Sequence, residues 1–178
     1  MTSLESQQRG LLALVKGRSA PPDDPYLQRV AGSRELAMVR KIALWWRTFQ
    51  LEAQCRFTSR LLKRLGCFET LVAAYFDNNA TSPFVEELSL GFLETLRAHE
   101  DPLVRAVAQF EKAFLQVRNG CDESFEIVWD RHPDLVFLAL EQGSELPGPE
   151  LDYYYHMQVA RNLPPWIACR REGKALRY

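Results

Sequence analysis

The chain has 178 residues and a formal net charge of −1; 47% of its residues are hydrophobic and 25% are charged. These proportions are typical of a globular domain and exclude a disordered chain, and the apolar runs are shorter than the roughly 20 residues needed to cross a bilayer. Residues 1–10 are polar and lack the features of a signal peptide, so we expect a soluble, cytoplasmic protein with no membrane partner.

The N-terminal third is predicted to be helical. Residues 4–16 form a short helix, and residues 19–25, which contain three prolines, form a loop because proline lacks a backbone donor. From Ser33 to Gly66 there is no proline and no internal glycine, and apolar residues recur at helical spacing. We predict one long helix between these two residues, either continuous or bent.

The predicted long helix carries a cluster of basic side chains. Residues 1–66 contain 12 Lys and Arg and five Asp and Glu, whereas residues 67–178 contain 10 and 18. Eight of the basic residues lie within residues 34–64, against only Glu35 and Glu52. Three interpretations stay open: a solvated face whose charges pair with the acidic remainder of the chain, a docking face for an acidic protein or peptide, and a nucleic-acid surface.

Two adjacent tryptophans make the same helix a candidate binding surface. Trp45 and Trp46 lie about 100° apart on a helix, so that one can face a core while the other faces a partner. Exposed Trp beside Arg is typical of interface hot spots, although burial of both rings is an alternative. The candidate partner-binding residues are Arg40, Trp45, Trp46, Arg47, Arg56 and Arg60.

Three further helices are predicted before residue 120. The first covers residues 68–76, where the apolar residues have helical spacing. Ser82-Pro83 and Asp101-Pro102 each combine a capping side chain with proline at the first helical position, which predicts helices that run to about residue 98 and to Asn119. Together with the two earlier helices and the short connections, this pattern favours a helical bundle.

Beyond residue 120 the hydrophobic period changes to that of strands. The predicted order is strand, helix, strand, strand, at residues 125–129, 134–142, 153–161 and 166–171. The fold class is therefore α+β, with an N-terminal helical bundle followed by a small β-α-β-β unit. We divide the chain into two domains, residues 1–120 and 121–178, and expect the sheet to pack on the helices through Trp129 and Trp166.

The second predicted strand is a candidate for peptide recognition. Tyr153, Tyr154 and Tyr155 place aromatic rings on both faces of one strand, because successive side chains alternate. An extended peptide that pairs with such a strand gains main-chain hydrogen bonds and side-chain pockets. The alternative is that one face is core. The candidate peptide-binding residues are Tyr153, Tyr154, Tyr155, His156 and Gln158.

The sequence offers little catalytic chemistry. Its three histidines are far apart, and its four cysteines include no CxxC pair, so we predict neither a metal site nor a catalytic residue. Nucleotide-binding glycine loops and the nucleophile elbow of hydrolases are also missing. We therefore expect no cofactor on this chain, and whether it is part of an enzyme is left uncertain.

Three loose motifs carry a resemblance to a known family. They are W-D-x-x-P at residues 129–133, G-x-x-L-P at residues 143–147 and L-P-P-W at residues 163–166. With the order of helices followed by β-α-β-β, the chain resembles the small partner proteins of multinuclear non-haem iron peptide-modifying oxidases, of the thiaglutamate and methanobactin pathway types. In that family the C-terminal unit resembles a peptide-recognition element.

The resemblance implies a division of labour within a natural-product pathway that modifies ribosomally made peptides. The iron and the oxygen chemistry belong to a TIM-barrel oxidase, with which this chain forms a heterodimer. This chain binds the leader of the precursor peptide and presents the peptide's cysteine. The alternative is a nucleic-acid-binding transcriptional regulator that uses the basic helix at residues 34–64, although its winged-looking part is acidic. A stand-alone small enzyme is a third reading.

Overall fold

A computed structural model of the chain describes residues 4–19, 23–79 and 84–173. Two features of the sequence analysis, Pro21-Pro22 in the predicted loop and the helix-start signal Ser82-Pro83, lie outside these residues.

The fold is mixed α+β, as predicted. The described residues contain eight α-helices, a short 3-10 turn at Leu96–Ala98 and one three-stranded sheet. The helices are α1 (Leu4–Val15), α2 (Pro25–Ala31), α3 (Arg34–Gln54), α4 (Arg56–Arg64), α5 (Phe68–Asn78), α6 (Val85–Thr95), α7 (Pro102–Arg118) and α8 (Pro133–Gln142). The strands are β1 (Phe125–Trp129), β2 (Tyr153–Val159) and β3 (Ile167–Gly173).

The chain divides into two compact units. Unit 1 comprises Met1–Gln50 and Thr70–Ala80, and unit 2 comprises Leu51–Glu69 and Thr81–Tyr178. Helices α3 and α5 each contribute residues to both units. The predicted domain boundary after residue 120 falls within the sequence of unit 2, and that domain division stays a prediction.

Unit 1 contains a helix that the sequence analysis missed. Pro25, which was assigned to a loop, is the first residue of α2, where its missing N–H costs nothing. The Asp24 carboxylate accepts hydrogen bonds from the N–H groups of Tyr26 and Leu27, both at 3.0 Å, and so caps the helix. The proline-rich composition of the loop obscured this start signal.

The small core of unit 1 joins its first three helices. Leu14 of α1, Leu27 of α2 and Leu36 of α3 are buried together. Gly10 faces Leu27 so closely that an added Cβ would overlap the leucine side chain. Glycine at this position therefore allows α1 to approach α2.

The sheet of unit 2 is antiparallel with the strand order β1-β2-β3. Ile127 of β1 lies opposite Met157 of β2, and Met157 in turn lies opposite Cys169 of β3. Helix α7 packs against β1 and β2 on one face of this sheet and also against α4 and α6. The middle strand β2 therefore has a hydrogen-bonded neighbour on each side.

The two tryptophans expected to join sheet and helices both contact helical side chains. Trp129 at the end of β1 is fully buried, and its ring lies edge-on to Phe137 of α8 at a centroid distance of 5.4 Å. Trp166, just before β3, lies 6.1 Å from Phe114 of α7 and remains partly exposed. The Trp166 contact ties the β-α-β-β segment to α7, whereas the Trp129 contact lies within that segment.

The predicted long helix is interrupted. Helix α3 ends at Gln54, and α4 begins at Arg56, because Cys55 has the non-helical angles φ −104° and ψ 60°. The N–H groups of Phe57 and Thr58 donate to the Glu111 carboxylate of α7, at 2.7 and 2.8 Å. A side chain from a distant helix thus supplies the acceptors that the first turn of α4 lacks.

We predict that Glu111→Ala destabilises the protein by about 2–4 kcal/mol, because two buried N–H groups lose their acceptors. Chemical denaturation at pH 6 measures the change in the free energy of unfolding. Glu145→Ala, at an exposed loop position, is the matched control and should change it by less than about 0.5 kcal/mol. Equal stability of the two variants would contradict the capping role.

Candidate functional site

An exposed apolar surface lies on α3 in unit 1. It consists of Met38, Ile42, Trp45, Trp46 and Phe49, whose spacing places them on neighbouring turns of the helix. Trp45 is 64% exposed and Trp46 is 51% exposed. Both tryptophans, which the sequence analysis named as partner-binding candidates, are therefore accessible in the structure.

The aromatic members of this surface pack on one another. The ring centroids of Trp45 and Trp46 lie 6.3 Å apart, and Phe49 stacks on both at 6.1 and 5.7 Å. Such mutual contacts restrict the rotamers of the three rings before any partner arrives, which lowers the entropy cost of binding. We refer to the five residues as the α3 apolar surface.

The predicted arginines of unit 1 already have partners inside the unit. The Arg40 guanidinium donates through Nε to the carbonyl of Leu14 at 2.8 Å, and the Arg47 guanidinium lies 5.1 Å from the ring centroid of Phe76. Both contacts hold α3 against its neighbours. Their charge still adds to the positive potential around the α3 apolar surface.

The two remaining partner-binding candidates belong to unit 2. Arg56 forms an ion pair with Glu141 of α8 at 3.3 Å, and Arg60 donates to the carbonyl of Leu140 at 3.4 Å. The six candidates are thus divided between the two units. Among these contacts, that of Arg56 alone is with an acidic side chain, so the interpretation as a charged face that pairs with the acidic part of the chain stays a prediction.

The predicted peptide-binding strand β2 is the middle strand of the sheet. Its residues from Tyr153 to Val159 all have counterparts on β3, and the last five also have counterparts on β1. The expectation that β2 itself adds an extended peptide as a neighbouring strand is therefore wrong at residues 155–159, where both sides of the backbone are paired, and stays a prediction at Tyr153 and Tyr154. The proposed contacts by its side chains stay a prediction.

The tyrosines of β2 lie in different surroundings. Tyr155 is only 5% exposed and donates its hydroxyl to Glu150 at 2.6 Å, a hydrogen bond that raises the pKa of the tyrosine. Tyr153 is partly exposed, with the Arg171 guanidinium 3.6 Å from its ring centroid. Tyr154 is also exposed. The core alternative thus holds for Tyr155, while the other two side chains are accessible.

The outer face of the sheet carries a polar network around His156. Its Nδ1 lies 2.8 Å from Glu126 of β1, and its Nε2 lies 3.2 Å from Glu172 of β3. Each ring nitrogen therefore has a carboxylate within hydrogen-bond distance. The hydrogen bond to His156 also lowers the pKa of Glu126. Gln158, on the same face, donates to Ser124 at 2.8 Å.

Strand β3 forms an edge of the sheet, since β2 is its one neighbour among the described strands. Cys169 and Arg171 of β3 are exposed, although their cross-strand neighbours Met157 and Tyr155 are buried. Helix α7 packs on β2, whereas these two side chains of β3 remain exposed. Strands β1 and β3 are thus the two edge strands of the sheet, and β2 is not one.

The sequence analysis missed an aromatic cavity of about 550 Å³ within unit 2. Its apolar lining comes from α4, α7, α8, β2 and β3 and includes Phe57, Phe110, Phe114, Phe137, Met157 and Ile167. The ring of Phe137 lies 4.6 Å from that of Phe110 and 4.7 Å from that of Phe57. We refer to this space as the aromatic cavity.

Glu111 also lines the aromatic cavity and is the buried acid of unit 2. It is 6% exposed, and burial raises its pKa to about 7 even though the Thr58 side chain and two backbone N–H groups favour the charged form. A signal in the sequence pointed to it: the carboxylate falls on the apolar face of α7, four residues after Val107 and four before Leu115. Helical spacing alone did not reveal its partners on α4.

The described residues contain no group of three or more His, Cys, Asp or Glu side chains that could hold a metal ion. The four cysteines are free thiols, and burial raises the pKa of Cys55. No helix in the described part of the chain is long and apolar enough to cross a membrane. The expectations of no metal and no cofactor on this chain stay predictions.

Comparison with known proteins does not assign the chain to a family: no family model, no curated protein and no solved structure matches it.

We predict that Glu111 makes stability fall as the pH rises from about 4.5 to about 7. Its pKa is higher in the folded than in the unfolded chain, so the folded state binds more protons in this interval, and the loss amounts to about 3 kcal/mol. The measurement is the difference in unfolding free energy between the wild type and Glu111→Gln at several pH values. A constant difference across the interval would contradict the prediction.

Proposed function

We propose that this chain is a non-catalytic partner protein in a cytoplasmic peptide-modifying pathway. It docks on an iron-dependent TIM-barrel oxidase and binds a ribosomally made precursor peptide. It thereby presents the cysteine of that peptide to the oxidase for oxidative modification. The iron belongs to the oxidase. The α3 apolar surface is the observation that carries the proposal, and the resemblance at the three C-terminal motifs supplies the identity of the partner.

The α3 apolar surface supports docking to a protein. Five large apolar side chains exposed on one helix face favour association, because their contact with water is unfavourable. The spacing of positions 38, 42, 45, 46 and 49 is that of a helix that lies in an apolar groove. The basic side chains of Arg34 and Lys41 on the same helix favour an acidic rim around that groove.

The open edge of β3 supports the peptide-binding part of the proposal. An extended leader segment that pairs with β3 gains main-chain hydrogen bonds there. Cys169 and Arg171 lie on the uncovered face of this strand, next to the edge. We therefore propose that the leader peptide pairs with the backbone of β3 and not with that of β2. Tyr154, His156 and Gln158 of β2 remain candidates for contacts with the peptide through their side chains.

The first test is a pull-down with the tagged full chain from its native source, with mass spectrometry and metal analysis of the captured material. The expected result is an iron-containing TIM-barrel protein at about one to one. Recovery of nucleic acid, with binding to generic duplex that weakens as salt is added, would replace the proposal by the regulator alternative. Recovery of the chain alone would also reject it.

We predict that Trp45→Ala and Trp46→Ala each weaken binding to the oxidase about 30-fold, because exposed tryptophans are frequent hot spots. Titration calorimetry with the purified partner measures the effect. Tyr26→Ala removes another exposed aromatic side chain of unit 1 and is the matched control. Wild-type affinity in both tryptophan variants would exclude the α3 apolar surface as the docking site.

A pair of proline substitutions tests the β3 edge. Successive residues of a strand direct their N–H groups to opposite sides, so one of Ala168→Pro and Cys169→Pro removes a donor that faces away from β2. We predict that the variant that loses the N–H group facing away from β2 stays folded and binds a synthetic leader peptide at least about tenfold more weakly. The other variant should lose stability. Unchanged leader binding in both folded variants would rule out strand addition at β3.

A further inference from the structure

The aromatic cavity contains a buried carboxylate without a cationic partner. Both oxygens of Glu111 accept backbone N–H groups, from Phe57 and Thr58. Within the described residues Glu111 forms no ion pair with a Lys, Arg or His side chain. Burying a carboxylate is unfavourable unless it is compensated, and the Phe57 and Thr58 amides supply part of that compensation.

The other charged groups of the cavity differ from Glu111 because they reach solvent. Arg56 is about half exposed and pairs with Glu141, whereas Arg118 is exposed and donates to the amide oxygen of Gln54 at 3.0 Å. Asp134 is exposed as well. Solvent screens these three charges, so the field in the apolar interior is set mainly by Glu111.

We propose that the aromatic cavity binds an organic ammonium ion carried on a small apolar body. The cationic nitrogen pairs with the Glu111 carboxylate, and the apolar body packs against the phenylalanine side chains. This site is independent of docking and peptide presentation by the α3 apolar surface and the β3 edge.

Three properties of the cavity fit this ligand class. A volume of about 550 Å³ lies in the range of small-molecule sites, which is roughly 300–1,000 Å³. Each oxygen of Glu111 accepts one backbone hydrogen bond, and because a carboxylate has about four lone-pair sites, acceptor capacity remains for an ammonium donor. Four phenylalanines offer rings whose faces attract organic cations, as in other sites for substituted ammonium ions.

Binding of a cation is coupled to ionisation of Glu111. A bound ammonium favours the carboxylate form, so the pKa of Glu111, which burial raises to about 7, falls in the complex. The charged groups that line the same cavity are Arg56 from α4, Arg118 from α7 and Asp134 from α8. Burial, and to a lesser extent the charge of Glu111, raises the pKa of the Cys55 thiol, which stays neutral.

The test titrates the full chain with 2-phenylethylammonium, and with 2-phenylethanol and phenylacetate as its neutral and anionic counterparts. NMR signals of the Met157 and Ile167 methyl groups locate the ligand, and the Glu111 carboxyl signal reports its pKa. We expect saturable binding of the ammonium in about the millimolar range or tighter, at least about tenfold tighter than the alcohol. The pKa of Glu111 should fall by about one unit or more.

Two variants separate the charge from the apolar contacts. Glu111→Gln should abolish the preference for the ammonium over the alcohol. Because Glu111 also caps α4, this substitution could disturb the fold, so Phe114→Leu is the second variant. Phe114→Leu should weaken the binding of both the ammonium and the alcohol. Glu145→Gln is the exposed control and should bind as the wild type does. Absence of saturable ammonium binding, equal binding of the alcohol, or an unchanged Glu111 pKa in the saturated wild type would each overturn the proposal.

Discussion

The hydrogen bonds from Phe57 and Thr58 to Glu111 hold together the part of the protein in which helices meet the sheet. They stabilise the first turn of α4 and therefore the break that ends α3 at Gln54. They also attach α4 to the middle of α7. Because α7 also packs against β1 and β2, the same contact fixes the helical walls of the aromatic cavity. A buried carboxylate thereby replaces the local capping side chain that Cys55 cannot provide.

The arginines and the tryptophans that the sequence analysis proposed together as partner-binding residues have different surroundings in the structure. The arginines of the basic segment make contacts within the protein, with the carbonyls of Leu14 and Leu140 and with Glu141. The α3 apolar surface, by contrast, is exposed. Charge density along a sequence reports how many basic side chains are present, but their partners depend on which residues approach from distant segments.

The order of the strands decides how a peptide can approach. Strand β2 lies between β1 and β3, so its backbone hydrogen-bonding groups pair with those two strands. Its side chains on the outer face of the sheet remain accessible. His156 connects the outer face of all three strands through Glu126 and Glu172. Strands β1 and β3 form the two edges of the sheet, and on β3 Cys169 and Arg171 are exposed although their neighbours on β2 are buried.

The sequence alone determined the α+β class, most helix and strand positions, and the candidacy of Trp45 and Trp46, because these depend on local periodicity, proline starts and glycine ends. Helix α2 was missed where three nearby prolines outweighed its Asp24 cap. Only the tertiary structure decided that the long helix breaks at Cys55, that β2 is central and that an aromatic cavity surrounds Glu111. Each of these depends on contacts between residues far apart in the chain, which local spacing does not encode.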